Sequence, residues 1–470
     1  MKRANPISRR QILGAGAVLL ASLPPSLPAA EPETVLQSEN GLLEATLEAS
    51  NSWVRLGASY ARLSTYNGQA PGPRLELRAG DTVRLHFANR LIEASNLHFH
   101  GLHIPPSGNA DNVFLEIPSG ESLTYEFTLP ENHPPGTYWY HPHLHGSAAR
   151  QLSRGLAGLL VVRGELDDIP ELAAAKEHFL VLKDWALDRN GEILEPSMMQ
   201  RMTGREGSLV TVGDLVNPGF TIQSGGMLRF RILNASPSRF YRLKIEDHPL
   251  FVIATDGGPL SAPVAVEEIL LSPGERVDVL VQGQRDTGTY RLLNLPYNRG
   301  GMGMMMGGPS RPGAPETLAT IVYEGRMEAA LALPQTLATV DPLPPPEAPL
   351  RSFVLGESGG AGRGMSFQIN GQVFDHHRVD TRVRLGTVED WEIVNQGTMD
   401  HPFHLHTNSF QILDAHGQPE RAWKDVMLVR AGQRRRFRVR FADFAGKAVY
   451  HCHILDHEDL GMMGVIEFHD

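Results

Sequence analysis

The sequence predicts an all-β protein made of three β-sandwich domains. Two observations carry this prediction: short alternating strands are separated by Gly and Pro turns, and one set of strands recurs three times. The first recurring element covers 75–91, 220–236 and 383–397, and each copy alternates apolar and polar residues around a Gly turn. A chain of 470 residues is too long for one core, so three copies of one unit predict three sandwiches.

Two further elements recur in the same order in each copy. They cover 117–130, 271–283 and 429–441 for the second element, and 136–143, 288–295 and 446–453 for the third. A Pro-rich stretch at 341–349 is typical of a linker before the last copy, and 168–178 is the best short helical candidate. The predicted domains are therefore 31–165, 166–340 and 341–470.

Residues 1–30 have the features of an export signal. A twin arginine in SRRQIL (8–13) precedes an apolar run that is shorter than the ~20 residues needed to span a bilayer. The arginine pair resembles a Tat signal, which exports folded proteins; a Sec signal that happens to contain two arginines is the alternative. We expect a periplasmic or extracellular protein without a stable membrane anchor.

The charge and the cysteine count exclude several classes of protein. A net charge of -10 argues against a nucleic-acid partner, because phosphate binding needs a basic surface. A single cysteine, Cys452, cannot form an internal disulfide. The thiol is therefore idle, intermolecular or bound to something else.

Histidine pairs distinguish the outer copies of the repeat from the middle one. The third element carries His-x-His at 141–143 and 451–453, whereas the middle copy has Leu-x-Leu at 293–295. Two more His-x-His pairs stand at 98–100 and 404–406 in the outer copies. Histidines that only pack the core would occur in the middle copy as well, so their loss there indicates a ligand site shared by the outer domains.

The spacing of these pairs suits metal binding. Residues i and i+2 of a strand share a face, so each pair can offer two imidazoles to one place. Eight converging imidazoles exceed the needs of one metal ion and suit a cluster of about three. A single pair could equally be a surface feature, but four pairs placed symmetrically in a duplicated unit favour the cluster.

Cys452 lies between two of these histidines, and the pleat of a strand sends its side chain to the opposite face. The thiol can therefore bind a second, separate metal, for which His401, His457 and Met462 are available. Two imidazoles, a thiolate and a weak thioether describe a blue-copper electron-transfer site. The strand would then join both metal centres over about 7 Å, at ~3.3 Å per residue. A zinc deaminase is excluded, because it needs more than one cysteine.

Four motifs carry a family resemblance: HFHG (98–101), HPH (141–143), HPFHLH (401–406) and HCHILDHEDLGMM (451–463). They resemble the copper signatures of the multicopper oxidases, above all bacterial laccases and cuprous oxidases of the copper-efflux type. The resemblance covers nearly all of the chain after the signal and implies three cupredoxin-like Greek-key sandwiches. It also implies four copper ions: type 1 held by His401, Cys452, His457 and Met462; type 2 by His98 and His404; and a type 3 pair by His100, His141, His143, His406, His451 and His453.

The resemblance implies a monomeric enzyme that couples four one-electron oxidations to the reduction of O2 to two waters. The donors would be phenols, aromatic amines or metal ions such as Cu(I). The alternatives are a dedicated cuprous oxidase with little phenol activity, a nitrite reductase of the same fold, and a non-enzymatic exported scaffold. Nitrite reductases lack the His-Cys-His bridge, and scaffold relatives lose ligands, whereas all twelve ligand positions are filled here.

Three carboxylates are further candidates. Asp111 lies near the place of an acidic residue in the family, although Asn112 follows it instead of the usual Gly, and Glu458 follows His457. Both could relay protons to the oxygen site; surface acids are the alternative. Asp400, beside His401, could guide a cation or accept a proton from a phenol, or be merely exposed.

A methionine-rich segment, GMGMMMGG (301–308), is the last candidate site. Thioethers bind Cu(I) readily, and copper-efflux oxidases carry Met-rich inserts near type 1 copper. The segment is predicted to dock Cu(I), or else to cover the site as a loop, since methionine also fills irregular gaps. Its ligands would be Met302, Met304, Met305 and Met306.

Overall fold

The computed structural model describes the backbone of residues 34–285, 287–300, 313–326, 330–360 and 363–470. The predicted signal segment and the four methionines of 301–308 lie outside these residues. Strands make up nearly all of the regular secondary structure of the described chain, which confirms the all-β prediction. Within the described ranges, no helix is long and apolar enough to cross a membrane.

The first sandwich has two sheets, ordered β1-β4-β9-β8-β6 and β3-β2-β5-β7. Its strands form because apolar residues alternate, as in β5, where Val83, Leu85 and Phe87 are buried. The strands are β1 (Val35–Gln37), β2 (Leu42–Leu56), β3 (Ser59–Tyr66), β4 (Gly72–Arg78), β5 (Thr82–Asn89), β6 (His98–His100), β7 (Ser122–Thr128), β8 (Gly136–His141) and β9 (Gly158–Arg163).

The middle sandwich pairs a six-stranded sheet, β11-β10-β13-β18-β15-β16, with a five-stranded sheet, β12-β20-β19-β14-β17. Its strands are β10 (Lys176–Trp185), β11 (Leu209–Val212), β12 (Gly219–Gln223), β13 (Met227–Asn234), β14 (Tyr241–Ile245), β15 (Leu250–Thr255), β16 (Gly258–Val266), β17 (Ile269–Leu271), β18 (Arg276–Gln282), β19 (Thr289–Leu295) and β20 (Glu316–Glu324).

The third sandwich has the sheets β22-β21-β24-β28-β26 and β23-β30-β29-β25-β27. An aromatic core that includes Trp391, Phe403 and Phe437 fills the space between them. The strands are β21 (Arg351–Gly360), β22 (Arg363–Ile369), β23 (Thr381–Arg384), β24 (Thr387–Asn395), β25 (His401–Leu405), β26 (Phe410–Ile412), β27 (Val426–Val429), β28 (Arg434–Phe441), β29 (Gly446–Cys452) and β30 (Met463–His469).

Helices are short in the described chain. They are α1 (Ala148–Ser153), α2 (Pro170–Ala173), α3 (Met198–Thr203) and α4 (Leu455–Asp459), with a 3-10 turn at Glu165–Asp168. The helix expected at 168–178 is reduced to the four residues of α2, because β10 begins at Lys176 and pairs there with β13. Helix α4 carries His457 and packs against α1 and α3.

Strand register places the predicted ligands next to each other. In the first sandwich, β6 pairs with β8 so that His98 lies opposite His141. In the third, β25 pairs with β29 so that His404 lies opposite His451. Each pairing joins two His-x-His motifs that are far apart along the chain, so the same pairing in both outer copies of the repeat brings the motifs together.

Candidate metal centre

The four His-x-His pairs meet at the interface of the first and third sandwiches. All eight side chains are buried, none more than 2% exposed. The ring of His98 stacks on His406 with centroids 3.9 Å apart, and His100 stacks on His404 at 3.8 Å. The outer copies of the repeat therefore contribute to one cluster, as the loss of histidine from the middle copy suggested.

Within this cluster, the ring nitrogens form triads with metal-ligand spacing. His143, His406 and His451 form one group whose ligand atoms all lie within 4.8 Å of one another. The Nε2 atoms of His143 and His406 each lie 3.1 Å from Nε2 of His451. The groups His98, His404, His406 and His98, His100, His141 meet the same limit, and the ring of His453 lies 5.0 Å from that of His100.

Several inward nitrogens have no hydrogen-bond partner in the described part of the chain. They include Nε2 of His98, His404 and His453, all fully enclosed. A buried polar atom without a partner costs about 1–3 kcal/mol. A metal ion would satisfy these lone pairs, so the donor set fits a cluster of imidazole-bound ions.

In the rings of His98 and His404, the opposite nitrogen, Nδ1, is anchored, which fixes the direction of the unpartnered lone pair. Nδ1 of His98 lies 2.9 and 3.0 Å from the two carboxylate oxygens of Asp111. Nδ1 of His404 donates to the carbonyl oxygen of Asp425 at 2.8 Å. These partners hold the rings so that the free nitrogen faces the centre of the cluster.

Burial keeps the imidazoles neutral. Removal from water lowers the pKa of His143 and His451 to about 4 and that of His404 to about 3, since a charged ring is poorly solvated there. Neighbouring histidines lower the pKa of His143 and His404 further. Metal ligands must be unprotonated, so this cluster needs little proton release at neutral pH before it binds an ion.

Cys452 lies in a second site inside the third sandwich. Its Sγ is 3.3 Å from Nδ1 of His401 and 3.9 Å from Nδ1 of His457, and these two nitrogens are 3.3 Å apart. Met462 is fully buried beside them: its carbonyl accepts from the amide of Cys452 at 3.0 Å, and its amide donates to the carbonyl of His457 at 2.9 Å. The Cys452 sulfur and the two Nδ1 atoms are the kinds of ligand that a soft metal ion prefers.

Strand β29 separates the two sites by its pleat. The Cys452 side chain faces His401 and His457, whereas the ring of His451 faces His143 and His406. Burial raises the pKa of the thiol far above its usual range. A thiolate would therefore form here only with a bound cation, which stabilises the negative charge.

Asp111 and Glu458 both lie in the cluster and are not surface acids. Asp111 also accepts a hydrogen bond from the amide of Phe99 at 2.8 Å, and burial raises its pKa to about 8. Glu458 is fully buried, with one oxygen 3.0 Å from Nδ1 of His451 and the other 3.6 Å from Nδ1 of His143. Burial raises the pKa of Glu458 as well.

Asp400 is buried rather than exposed, at 6% exposure. One carboxylate oxygen accepts from the hydroxyl of Tyr297, and the other accepts from the amide of Ala431 at 2.8 Å. Both oxygens thus have protein partners. Asp400 therefore joins Tyr297 and Ala431 directly beside His401.

Sequence reasoning missed several residues around both sites. Asp425 lies 3.1 Å from Nε2 of His100, Glu357 lies 3.5 Å from Nε2 of His401, and the carbonyl of Met202 accepts from Nε2 of His457 at 3.1 Å. None of the three stands at a recurring spacing from a ligand motif. Only tertiary structure reveals them.

One strand links the cysteine site to the cluster of eight imidazoles, in a chain of three β-sandwiches. This combination of ligands is typical of a multinuclear copper protein. Three family models described as multicopper oxidase match residues 49–167, 176–326 and 345–469. The chain belongs to the multicopper oxidase family and is a copper-dependent oxidoreductase. This membership confirms the predicted cupredoxin-like fold class.

Relatives cover the chain almost completely. A solved structure of a multicopper oxidase from Campylobacter jejuni, described as a metallo-oxidase, shares 31% identity, covers 95% of this chain and 98% of its own, and has a TM-score of 0.81. Multicopper oxidase mco of Staphylococcus haemolyticus is 28% identical over 450 residues, 92% of this chain and 90% of the relative. Cell division protein FtsP of Photorhabdus laumondii is 30% identical over 84% of this chain and 82% of its own.

The lowered histidine pKa values predict acid lability of the metal-free protein. An unfolded histidine binds a proton below about pH 6.5, whereas His143 and His451 stay neutral in the fold until about pH 4. The unfolded state therefore binds more protons across this window, and stability falls as pH falls. We expect the melting temperature of the apoprotein to drop between pH 6.5 and 4.

His143→Gln should make this pH dependence shallower, and His416→Gln, at an exposed position, should leave it unchanged. Calorimetry of the three proteins at several pH values measures the effect. Equal slopes for all three proteins would contradict the assignment of acid lability to the cluster.

Proposed function

We propose that this chain is a laccase-like oxidase with four copper ions, which couples the one-electron oxidation of a donor to the reduction of O2 to water. The observation that carries the proposal is the position of Cys452, which faces one site while its two neighbours face the other. A hydrolase or a simple copper carrier would have no use for a covalent link between two metal sites.

The proposed copper ligands are those that the family resemblance implies. His401, Cys452, His457 and Met462 would hold type 1 copper; His98 and His404 would hold type 2; and His100, His141, His143, His406, His451 and His453 would hold the type 3 pair. The triad His143, His406, His451 supports one type 3 position. When bound, the ions supply one-electron chemistry at the thiolate and reductive chemistry toward O2 in the cluster.

The residues of the chain supply the path between the two metal sites and the groups that hold protons. Cys452 and His451 are consecutive residues, and the ring Nδ1 of His451 donates to the carbonyl of Cys452 at 3.1 Å, so a short bonded path joins thiol and imidazole. Four protons are consumed for each O2 that is reduced to two waters. We propose that Asp111, bonded to His98, and Glu458, between His143 and His451, hold protons beside the cluster.

The donor site is proposed on the face of the third sandwich that bears His401. Gly300 pairs with Met399, and the amide of Asp400 donates to the carbonyl of Arg299 at 2.8 Å. The chain therefore enters the methionine-rich segment from a position close to the proposed type 1 ligand. This supports Cu(I) as a donor that reaches Met302, Met304, Met305 and Met306, with phenols and aromatic amines as further donors.

Export and assembly are proposed from the sequence. We propose that the Tat-type segment at 1–30 directs a folded monomer to the periplasm or the exterior.

A second candidate function, a non-enzymatic role, is favoured by the similarity to cell division protein FtsP. The filled ligand positions support the oxidase, and O2 uptake by the copper-loaded protein separates the two candidates.

Replacing the thiol tests the separation of the two metal sites. Cys452→Ser should lower the copper content from four ions to three, abolish the blue absorption and stop donor oxidation, because only the site inside the third sandwich loses its thiolate. The expected content of His416→Gln, at an exposed position, is four. Metal analysis measures these values, and full copper with normal turnover in the serine variant would refute the proposal.

Two variants test Cu(I) docking. Deletion of 301–308, and a length-matched variant with all four methionines changed to leucine, should both slow Cu(I) oxidation at least about tenfold while phenol oxidation stays within about twofold. The matched variant separates thioether chemistry from loop length, because leucine preserves size without a soft ligand. If both variants oxidise Cu(I) at the parent rate, the docking role is wrong.

A further inference from the structure

The middle sandwich carries none of the residues proposed to hold the four copper ions, yet its Arg276 bonds to Asp425, which contacts the histidine cluster. We propose that Arg276 and Asp425 form a positioning pair that fixes His100 and His404, so that all three sandwiches shape the oxygen-reducing site. The inference rests on the proposed function, since it concerns how that site is held.

Asp425 contacts histidines of two sandwiches. One carboxylate oxygen, Oδ1, lies 3.1 Å from Nε2 of His100, and the main-chain carbonyl accepts from Nδ1 of His404 at 2.8 Å. Asp425 is 1% exposed and directly precedes β27, which pairs with β25. One residue therefore sets the orientation of a ring from the first sandwich and a ring from the third.

Arg276 holds the Asp425 carboxylate with both ends of its guanidinium. Nη1 donates to Oδ1 at 2.8 Å and Nη2 to Oδ2 at 2.5 Å. The remaining donors bond to the carbonyls of Thr137 at 3.1 Å, Gly274 at 3.0 Å and Asp256 at 2.9 Å. All five N–H groups of a buried arginine are thus used, which fixes it more rigidly than a lysine could be fixed.

The pair belongs to a buried charge network between the second and third sandwiches. Lys424 lies 2.9 Å from Asp256 and 2.6 Å from Glu275. Two cations, Arg276 and Lys424, thus face three carboxylates. These are Asp256, Glu275 and Asp425. Removing one partner from such a network leaves an uncompensated buried charge, so the network keeps Asp425 in place when the histidines carry no metal.

Gly101, the last residue of HFHG, permits this approach. A Cβ at this position would lie 2.4 Å from Nη2 of Arg276 and 2.6 Å from Oδ2 of Asp425, and its φ of +88° also disfavours other residues. Gly274 similarly leaves room for His453, whose Nε2 would lie 2.8 Å from an added Cβ. The middle sandwich is therefore fitted closely against His453 and against the glycine that follows His100.

The consequence is a defined orientation of His100. With Nε2 on Asp425, its Nδ1 points to the cluster and lies 3.4 Å from Nε2 of His141. The ring also stacks on His404 at 3.8 Å, but stacking does not decide which ring nitrogen faces outward, so the Asp425 carboxylate does. Loss of such a supporting partner typically weakens metal binding about 10–100-fold.

The test compares Asp425→Asn and Arg276→Lys with Arg229→Lys. Arg229 is a matched control: it is 2% exposed, pairs with Asp167 at 2.6 Å and Asp278 at 3.1 Å, and touches no cluster histidine. In the full copper-loaded chain, the first two variants should bind cluster copper about 10–100-fold more weakly and show an altered type 2 EPR signal. Their blue type 1 absorption should be unchanged.

Arg229→Lys should lower thermal stability but keep the copper content and EPR signal of the parent. If Asp425→Asn and Arg276→Lys match the parent in copper affinity and EPR signal, or if Arg229→Lys shifts both equally, the positioning role is refuted. If neither variant folds, a crystal structure of the copper-loaded parent decides: Nε2 of His100 on copper would overturn the inference. A parent that binds no copper would instead refute the proposed function.

Discussion

The pleat of one strand is the constraint on which the rest of the structure depends. Consecutive side chains of a strand point to opposite faces, so the thiol of Cys452 enters the third sandwich while the ring of His451 leaves it. The imidazoles must then be completed from another domain. This explains why the cluster lies between the first and third sandwiches, and why the two domains meet along a closely packed interface that excludes water from all eight rings.

Without metal, such an interface lowers the stability of the folded protein. Fully enclosed ring nitrogens without partners, as in His98 and His453, oppose folding of the apoprotein. The aromatic core of the third sandwich and the buried ion pairs of the middle one hold the histidines together against this cost. Arg276 is the clearest case, because it bonds to groups from all three sandwiches. The middle sandwich thus does more than space its neighbours.

The repeat and the His-x-His pairs were sufficient to predict the all-β class and the convergence of the eight histidines, because both follow from local periodicity. The supporting residues could not be predicted in this way. Asp425 and His100 are 325 positions apart, and no spacing rule connects them. In β28, Arg438 alternates with the apolar Phe437 and Val439, a pattern typical of a solvent-facing side chain; yet Arg438 is 7% exposed and pairs with Asp390 at 2.6 Å. An ion pair between distant strands can thus bury a side chain that the local alternation would place in solvent.

Anomalous diffraction at the copper edge, from crystals of the copper-loaded protein, tests the central claim most directly. The account predicts one copper peak bonded to the sulfur of Cys452 and a separate group of three among the eight histidines, on the other side of the strand. A single peak bonded both to that sulfur and to the ring of His451 would contradict it.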